Sequence, residues 1–386
     1  MQTPRIAALL GSFPALGPSD RLHVRGTLRD RDDVLQVHLD EAHPLGNVVV
    51  TDDATPPDVN VPFAVAGGVA WVRRSEGWVA LPTIGTAAGV LARNAGVLES
   101  SLLADASVAV IGLGSGGAII ADQLARAGVG RLVLVDRDRI EVENVGRHLC
   151  DLTDLGRRKT AAVADRVRSR NPALRVDTFD LDVLEEPDAL RAAVEGCAVL
   201  IGATDGNASR RVVNRLAVET GRPAIFGRAY TRASGGDVAR VAPGGPCYDC
   251  LYAGFVADEE VASSRSAGAP AYADTPVLAE PGLALDILPI ALMCARLAVQ
   301  ELVRGRGSSL ESLDEDFPGA LFLWANRREG QFAEWAPMRF GHRGFAVHRW
   351  YGLSAPRNPR CPTCNEDAFL ATLLESEGVC DPQSPS

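Results

Sequence analysis

The stretch from Val108 to Arg147 constrains this chain more than any other, because it reads as one complete supersecondary unit. The β-branched residues Val108, Val110 and Ile111 run into Gly112, Gly114 and Gly117 in GxGxxG spacing. A helical pattern follows at Ile119, Ile120, Leu124 and Ala127, and it stops at Gly128 and Gly130. Leu132 to Val135 then read as a second strand, delivering Asp136 about twenty residues past the last glycine. Glycine lets a backbone turn tightly beside phosphate, and the helix N-terminus behind it offers free N–H groups and a favourable dipole. The unit therefore predicts nucleotide binding, with Gly112, Gly114 and Gly117 as the cradle and Asp136 on the ribose hydroxyls. Alone it does not choose between a dinucleotide and a triphosphate.

Length and charge bound the rest. At 386 residues the chain has room for two or three domains. A net charge of −10 argues against nucleic acid as a partner held by a general basic surface. No unbroken apolar run reaches the roughly eighteen residues that a membrane span needs, so no membrane segment is expected. The N-terminus lacks a basic n-region and an A-x-A site. No signal peptide is expected, and the expected compartment is the cytoplasm.

Residues 1–85 alternate short apolar runs (Val34 to Leu39, Val48 to Val50, Val69 to Val72, Trp78 to Leu81) with Pro- and Asp-rich connectors. They read as a small β-rich module, either a structural cap or a partner- or peptide-binding unit. A helical pattern from about Gly85 to Ala104, with Arg93 at its centre, leads into the βαβ unit. Residues 86–303 then alternate strands and helices, which predicts an α/β fold: a Rossmann-like, doubly wound, mostly parallel sheet. Within them 251–285 read as a long crossing loop, small-residue and proline-containing. In 304–386, Ala320 to Ala325 and Gln331 to Ala336 resemble a hairpin, and a short helix and polar tail end the chain.

Two constellations carry chemistry. Asp138, Asn144 and Arg147 follow Asp136 closely, Lys159 comes soon after, and Asp205 ends the apolar run Ala198 to Ala203. In open parallel sheets ligands sit at that end of the strands. Arg and Lys near a glycine loop neutralise phosphate, and a carboxylate at the same rim can hold Mg²⁺. Each charge taken singly is an ordinary solvated residue; taken together they favour ATP over NAD. The second constellation is Cys247/Cys250 and Cys361/Cys364, two C-x-x-C pairs among eight cysteines. Four thiolates give a closed tetrahedral Zn²⁺ site, structural rather than catalytic, stapling the C-terminal region to the middle of the chain; a redox C-x-x-C is the rival reading, though neither pair adjoins a thioredoxin-like strand–helix pattern.

These residues resemble the ubiquitin-activating-enzyme-like adenylyltransferases, the ThiF/MoeB/HesA group. The resemblance rests on VAVIGLGSGG, VDRDRIEVENVGRH, LGRRK, ATDGNASRRVVN, GGDVARVAPGGPCYDCL and the later CPTC. It implies that Asn144 and Arg147 contact phosphates, that Lys159 lies on the α-phosphate side, and that Asp205 serves Mg²⁺ and catalysis. It also implies a homodimer in which Arg93 reaches the partner's site. The implied activity is ATP-dependent adenylation of the C-terminal carboxylate of a ubiquitin-like protein or small peptide, with onward transfer to a conjugating enzyme or a sulfurtransferase.

The departures from that pattern keep open a catalytically altered scaffold subunit, and the glycine turn read alone still suits an NAD-dependent oxidoreductase. Gly206 stands where the family has Asn, with Asn207 one later, and His148 stands where it has Gln. Residues 251–285 hold no cysteine for a thioester. Cys294 and Cys197 read as core, Cys150 lies near the phosphate loop, and Cys380 sits in the polar tail. Ser263, Ser264 and Ser266 are ordinary loop serines unless an oxyester forms there.

Overall fold

The structure is a computed structural model. It describes residues 6–10, 21–29, 34–39, 46–51, 53–56, 58, 61–84, 89–252, 271–272, 277–278, 282–339 and 341–365. The chain divides into two compact units, Met1–Ala95 with Arg168–Ala173, and Gly96–Val167 with Leu174–Ser386.

The first unit is a mixed sheet of β1 (Ile6–Leu10), β2 (Arg21–Arg29), β3 (Val34–Leu39), β4 (Gly46–Thr51), β5 (Phe63–Ala66), β6 (Val69–Arg74), β7 (Gly77–Ala80) and β8 (Thr83–Ile84). Their order is β7-β6-β5-β4-β2-β3-β1-β8. In β6 the alternation is visible in the burial: Ala70 and Val72 are buried, Val69 and Trp71 only half-buried, and Arg73 and Arg74 exposed, whereas Ala64, Val65 and Ala66 of β5 are all buried. Among the described residues 89–104 the expected helix before the βαβ unit does not form. Two 3₁₀ turns, Ala92–Asn94 and Ser100–Leu102, stand there. Gly96 adopts φ 84° between them, and of residues 89–104 only Leu103 is a buried hydrophobic, so no apolar stripe pays for a helix.

The second unit contains β9 (Ser107–Ile111), β10 (Arg131–Val135), β11 (Arg175–Phe179), β12 (Val199–Gly202), β13 (Ala224–Ala229) and β14 (Gly235–Val241). A two-residue ribbon, β15 (Ala271–Tyr272) with β16 (Val277–Leu278), comes before β17 (Leu321–Ala325) and β18 (Trp350–Leu353). The large sheet runs β11-β10-β9-β12-β13-β14-β17-β18. Its first five strands are parallel and the last three join antiparallel. Strand order reverses between β9 and β12, the switch point where such sheets bind ligands.

Every residue of β9 is buried, as a strand covered on both faces requires. Val108 and Val110 pack with the helices Ser115–Ala127 and Ala284–Val303, while Ala109 and Ile111 face the layer of Asn207–Thr220 and Tyr248–Tyr252. The expected hairpin is corrected. Strand β17 pairs with β14 and β18, and Gly330–Phe332 forms a 3₁₀ turn instead. Phe332 is buried against Tyr230 and Trp335, whereas Trp324 on β17 packs on Trp350 of β18 with ring centroids 5.2 Å apart. Aromatic pairing across β17 and β18 outweighs sequence proximity here. The final helix of the sequence reading lies outside the described residues. Among the described residues no helix is long and apolar enough to cross a membrane.

Candidate nucleotide and metal sites

The site grows from the carboxyl end of β9. Gly112 turns the chain with φ 91°, and a Cβ there would lie 2.6 Å from the Ala203 carbonyl oxygen. A Cβ at Gly117 would fall 1.9 Å from the Gly112 carbonyl oxygen. These two glycines are required by the fold itself. Gly114 differs: it caps the Ser115–Ala127 helix, and a Cβ there meets nothing within 4 Å.

Asp136, just past β10, clamps this turn. Its Oδ2 accepts the Leu113 N–H at 2.6 Å and its Oδ1 accepts the Asp138 N–H at 2.8 Å. Burial raises its pKa, while the Lys159 ammonium and the two N–H donors limit the rise. Lys159 opens the helix Lys159–Arg170 and donates from Nζ to Asp138 Oδ2 at 2.8 Å. Its side chain is 11% exposed. Burial opposes its charge, but Asp136, Asp138 and Asp205 outweigh that and hold its pKa above the ordinary ammonium value. The structure thus brings Asp136, Asp138, Lys159 and Asp205 into one electrostatic group at the sheet's carboxyl edge. Asp205 itself is exposed, directly beyond β12.

Arg147 and His148 line a cavity with Ser115, Ile119, Ala284 and Ile287, between the first turns of two helices. Asn144 sits in the short helix Val142–Val145, where its Oδ1 accepts the Glu141 N–H at 3.0 Å. The carbonyl oxygen of its side chain therefore serves its own turn. Asn207, next to Gly206, is also engaged: its Oδ1 accepts from the Tyr248 hydroxyl at 2.9 Å and from Arg210 at 3.2 Å. Arg93 is exposed on its turn in the first unit and is not among the residues gathered here.

The four cysteines converge. Cys247 and Cys250 flank the start of the helix Tyr248–Tyr252, and Cys361 and Cys364 follow β18. Their sulfurs lie within 4.8 Å of one another, with separations of 3.8, 3.5 and 3.4 Å for 247–250, 247–361 and 250–364. Zinc–sulfur bonds of about 2.3 Å in a tetrahedron need sulfurs about 3.8 Å apart. A disulfide needs about 2.05 Å. The donor set therefore fits zinc, and N–H groups aimed at sulfur suit thiolates: Arg357 Nε to Cys364 at 3.3 Å and Asn358 N–H to Cys250 at 3.4 Å. Asp249 ties the two pairs together, accepting from Thr363 Oγ1 at 2.6 Å and from Asn214 Nδ2 at 3.1 Å.

Cys294 and Cys197 match the core reading, and Cys150 by the phosphate loop is buried too. Burial, with Asp154 adding to it, pushes the Cys150 thiol up to about 12, far from a nucleophile's range. Cys380, Ser263, Ser264 and Ser266 lie outside the described residues.

Two features had no sequence signal. Leu113 acts through its peptide groups, which its side-chain identity does not reveal. Arg228 and Asp237 form a buried pair across β13 and β14, with Arg228 Nη2 donating to Asp237 Oδ2 at 2.7 Å. The Tyr252 hydroxyl donates to Asp237 Oδ1 at 2.6 Å, and the Tyr230 hydroxyl to Oδ2.

Residues 89–311 match the ThiF family model, more than half of the chain. The chain belongs to the ThiF family. Among curated relatives, a sulfur carrier protein adenylyltransferase of Thermus thermophilus is 28% identical, covering 71% of this chain and 88% of that protein. The adenylyltransferase and sulfurtransferase MOCS3 of Mus musculus is 29% identical over 74% of this chain, which spans only 53% of that protein. Escherichia coli MccB, crystallised with ATP, superposes with a TM-score of 0.50 at 20% identity, covering 69% of this chain and 68% of MccB. That likeness is one of fold. It agrees with the α/β, Rossmann-like sheet expected of this ThiF chain.

Proposed function

We propose that this ThiF-family chain is an ATP- and Mg²⁺-dependent adenylyltransferase acting on the C-terminal carboxylate of a ubiquitin-like protein or a small peptide. The observation that carries the reading is Lys159, held charged by Asp136, Asp138 and Asp205 beside the glycine turn. A hydride-transfer site needs no such group; a phosphate-activating site does. The names of the relatives support the same chemistry.

In this reading a carboxylate oxygen attacks the α-phosphorus of ATP, the bond to the β-phosphate oxygen breaks, and pyrophosphate leaves with that electron pair. No proton moves, since the carboxylate is already ionised at pH 7. Asp136 positions the ribose, the glycine turn receives phosphate on backbone N–H groups, and Arg147 and Lys159 offset charge at the reacting phosphorus. Asp138 orients Lys159. Asp205 would hold Mg²⁺, which when bound neutralises phosphate oxygens. Exposed carboxylate at a phosphate rim is the usual protein share of a Mg²⁺ site. Cys247, Cys250, Cys361 and Cys364 would hold a structural zinc.

We assign adenylation to 86–303, closure of the metal site to 304–386 and an accessory role to 1–85. A cytoplasmic homodimer, with Arg93 serving the partner's site, completes the proposal. Onward transfer goes to a conjugating enzyme or a sulfurtransferase. ATP–pyrophosphate exchange tests the reading. Exchange should require the cognate carboxyl-terminal cargo and vanish in Asp205→Ala and Arg147→Ala. Exchange that survives Asp205→Ala would remove the Mg²⁺ assignment.

A further inference from the structure

Leu113, the middle residue of the glycine turn, is held at both of its peptide groups. Its N–H donates to Asp136 Oδ2 at 2.6 Å, and its carbonyl oxygen lies 2.7 Å from His148 Nε2. The other ring nitrogen, Nδ1, accepts the Cys150 N–H at 3.0 Å. A backbone N–H only donates, so Nδ1 must carry the lone pair and Nε2 the proton. The neutral Nε2–H tautomer is therefore the one form of this ring that satisfies both partners.

The consequence falls on Gly114. A trans peptide is planar, with its C=O and the next N–H pointing in opposite directions, and this chain has no cis peptide among its described residues. Drawing the Leu113 carbonyl towards His148 turns the Gly114 N–H the other way. It also withdraws a carbonyl dipole that would repel phosphate. Gly114 is the helix cap whose Cβ position is open. The same ring lines the cavity beside Arg147. We propose that neutral His148 is a positioning residue that aims the Gly114 amide at the anionic ligand and couples the glycine turn to the Arg147 segment.

The charged groups around the ring favour this state. Burial lowers the His148 pKa, and Lys159 adds to the lowering, while the bond to Leu113 and the Asp154 carboxylate oppose it. Cys150 stays a thiol, and Asp136 faces the opposite peptide group of Leu113. An imidazolium would set an N–H against the Cys150 N–H and release the clamp. Glutamine can reproduce it, because its amide carries one donor and one acceptor at one end.

The inference rests on the nucleotide-site reading, so its test has two arms. The first is the ring itself: nitrogen-15 histidine spectra of the ligand-free full chain should show His148 as the Nε2–H tautomer at neutral pH. An Nδ1–H tautomer or an imidazolium there overturns the proposal whatever the protein binds. The second is Mg²⁺–ATP affinity by calorimetry across about pH 5.5 to 8. His148→Ala should weaken binding about tenfold at neutral pH. His148→Gln should restore it and remove the acid-side loss that wild type shows. Equal affinity of His148→Ala and wild type overturns the proposal, as does an acid limb retained in His148→Gln. If wild type binds no ATP, the nucleotide-site reading falls, and the clamp's role in aiming an amide at that ligand falls with it.

Discussion

Asp237→Ala offers a sharp test of the packing beneath the site. Asp237 is fully buried and Arg228 is 4% exposed. The carboxylate accepts Arg228 Nε at 3.1 and 3.2 Å and Nη2 at 2.7 Å, together with both tyrosine hydroxyls. The guanidinium also lies 3.9 Å from the centroid of the Tyr252 ring. Removing one partner of such a pair strands a buried charge, at a cost of about 3–5 kcal/mol. The two orphaned hydroxyls add about 1 kcal/mol each. Against a typical total stability of about 5–15 kcal/mol, that loss is a large fraction.

The double variant Arg228→Met/Asp237→Leu removes both charges together. Paired removal is close to neutral, so this protein should lose only about 2 kcal/mol, mostly from the hydroxyls. Urea unfolding followed by helical circular dichroism reads this out, because the described α-helices lie almost wholly in the second unit. A double variant less stable than Asp237→Ala would refute the reasoning. So would a loss below about 1 kcal/mol in the single variant.

Gly117→Ala and Gly114→Ala should separate fold from function. The first places Cβ 1.9 Å from a backbone oxygen and should cost about 3 kcal/mol; the second should change stability by under about 0.5 kcal/mol in urea melts, yet weaken ATP in calorimetry. For the metal, elemental analysis should find about one zinc per chain, lost with Cys361→Ser along with a lower unfolding midpoint. A metal-free chain of unchanged stability would contradict it. Finally, the depressed His148 pKa means that the unfolded chain binds the proton first. Its stabilisation is complete above the ordinary value of 6.5 and is lost as pH falls below it. Urea melts should show wild type losing stability on acidification relative to His148→Gln.

The sequence by itself determined the parallel sheet, the glycine turn, the acid after β10 and the convergence of two C-x-x-C pairs. These are encoded locally: β-branched runs make strands, spaced glycines permit one turn, and a thiol pair at that spacing can share a metal. Asp136, Asp138, Lys159 and Asp205 were legible as charges in order, because parallel strands deliver their ends to one edge. Tertiary structure alone decided what those charges face. The β17 partner was settled by Trp324 and Trp350 packing across residues distant in sequence. The stretch before β9 became two turns because it buries too little apolar surface to sustain a helix. Asn144 and Asn207, polar and well placed in sequence, spend their carbonyl oxygens on neighbouring groups. His148 reads in the sequence as a departure from a pattern; the two backbone groups on its ring, Leu113 C=O and Cys150 N–H, tie it to the glycine turn. Hydrogen bonds to backbone leave no mark in side-chain identity, so only the folded chain could reveal that clamp.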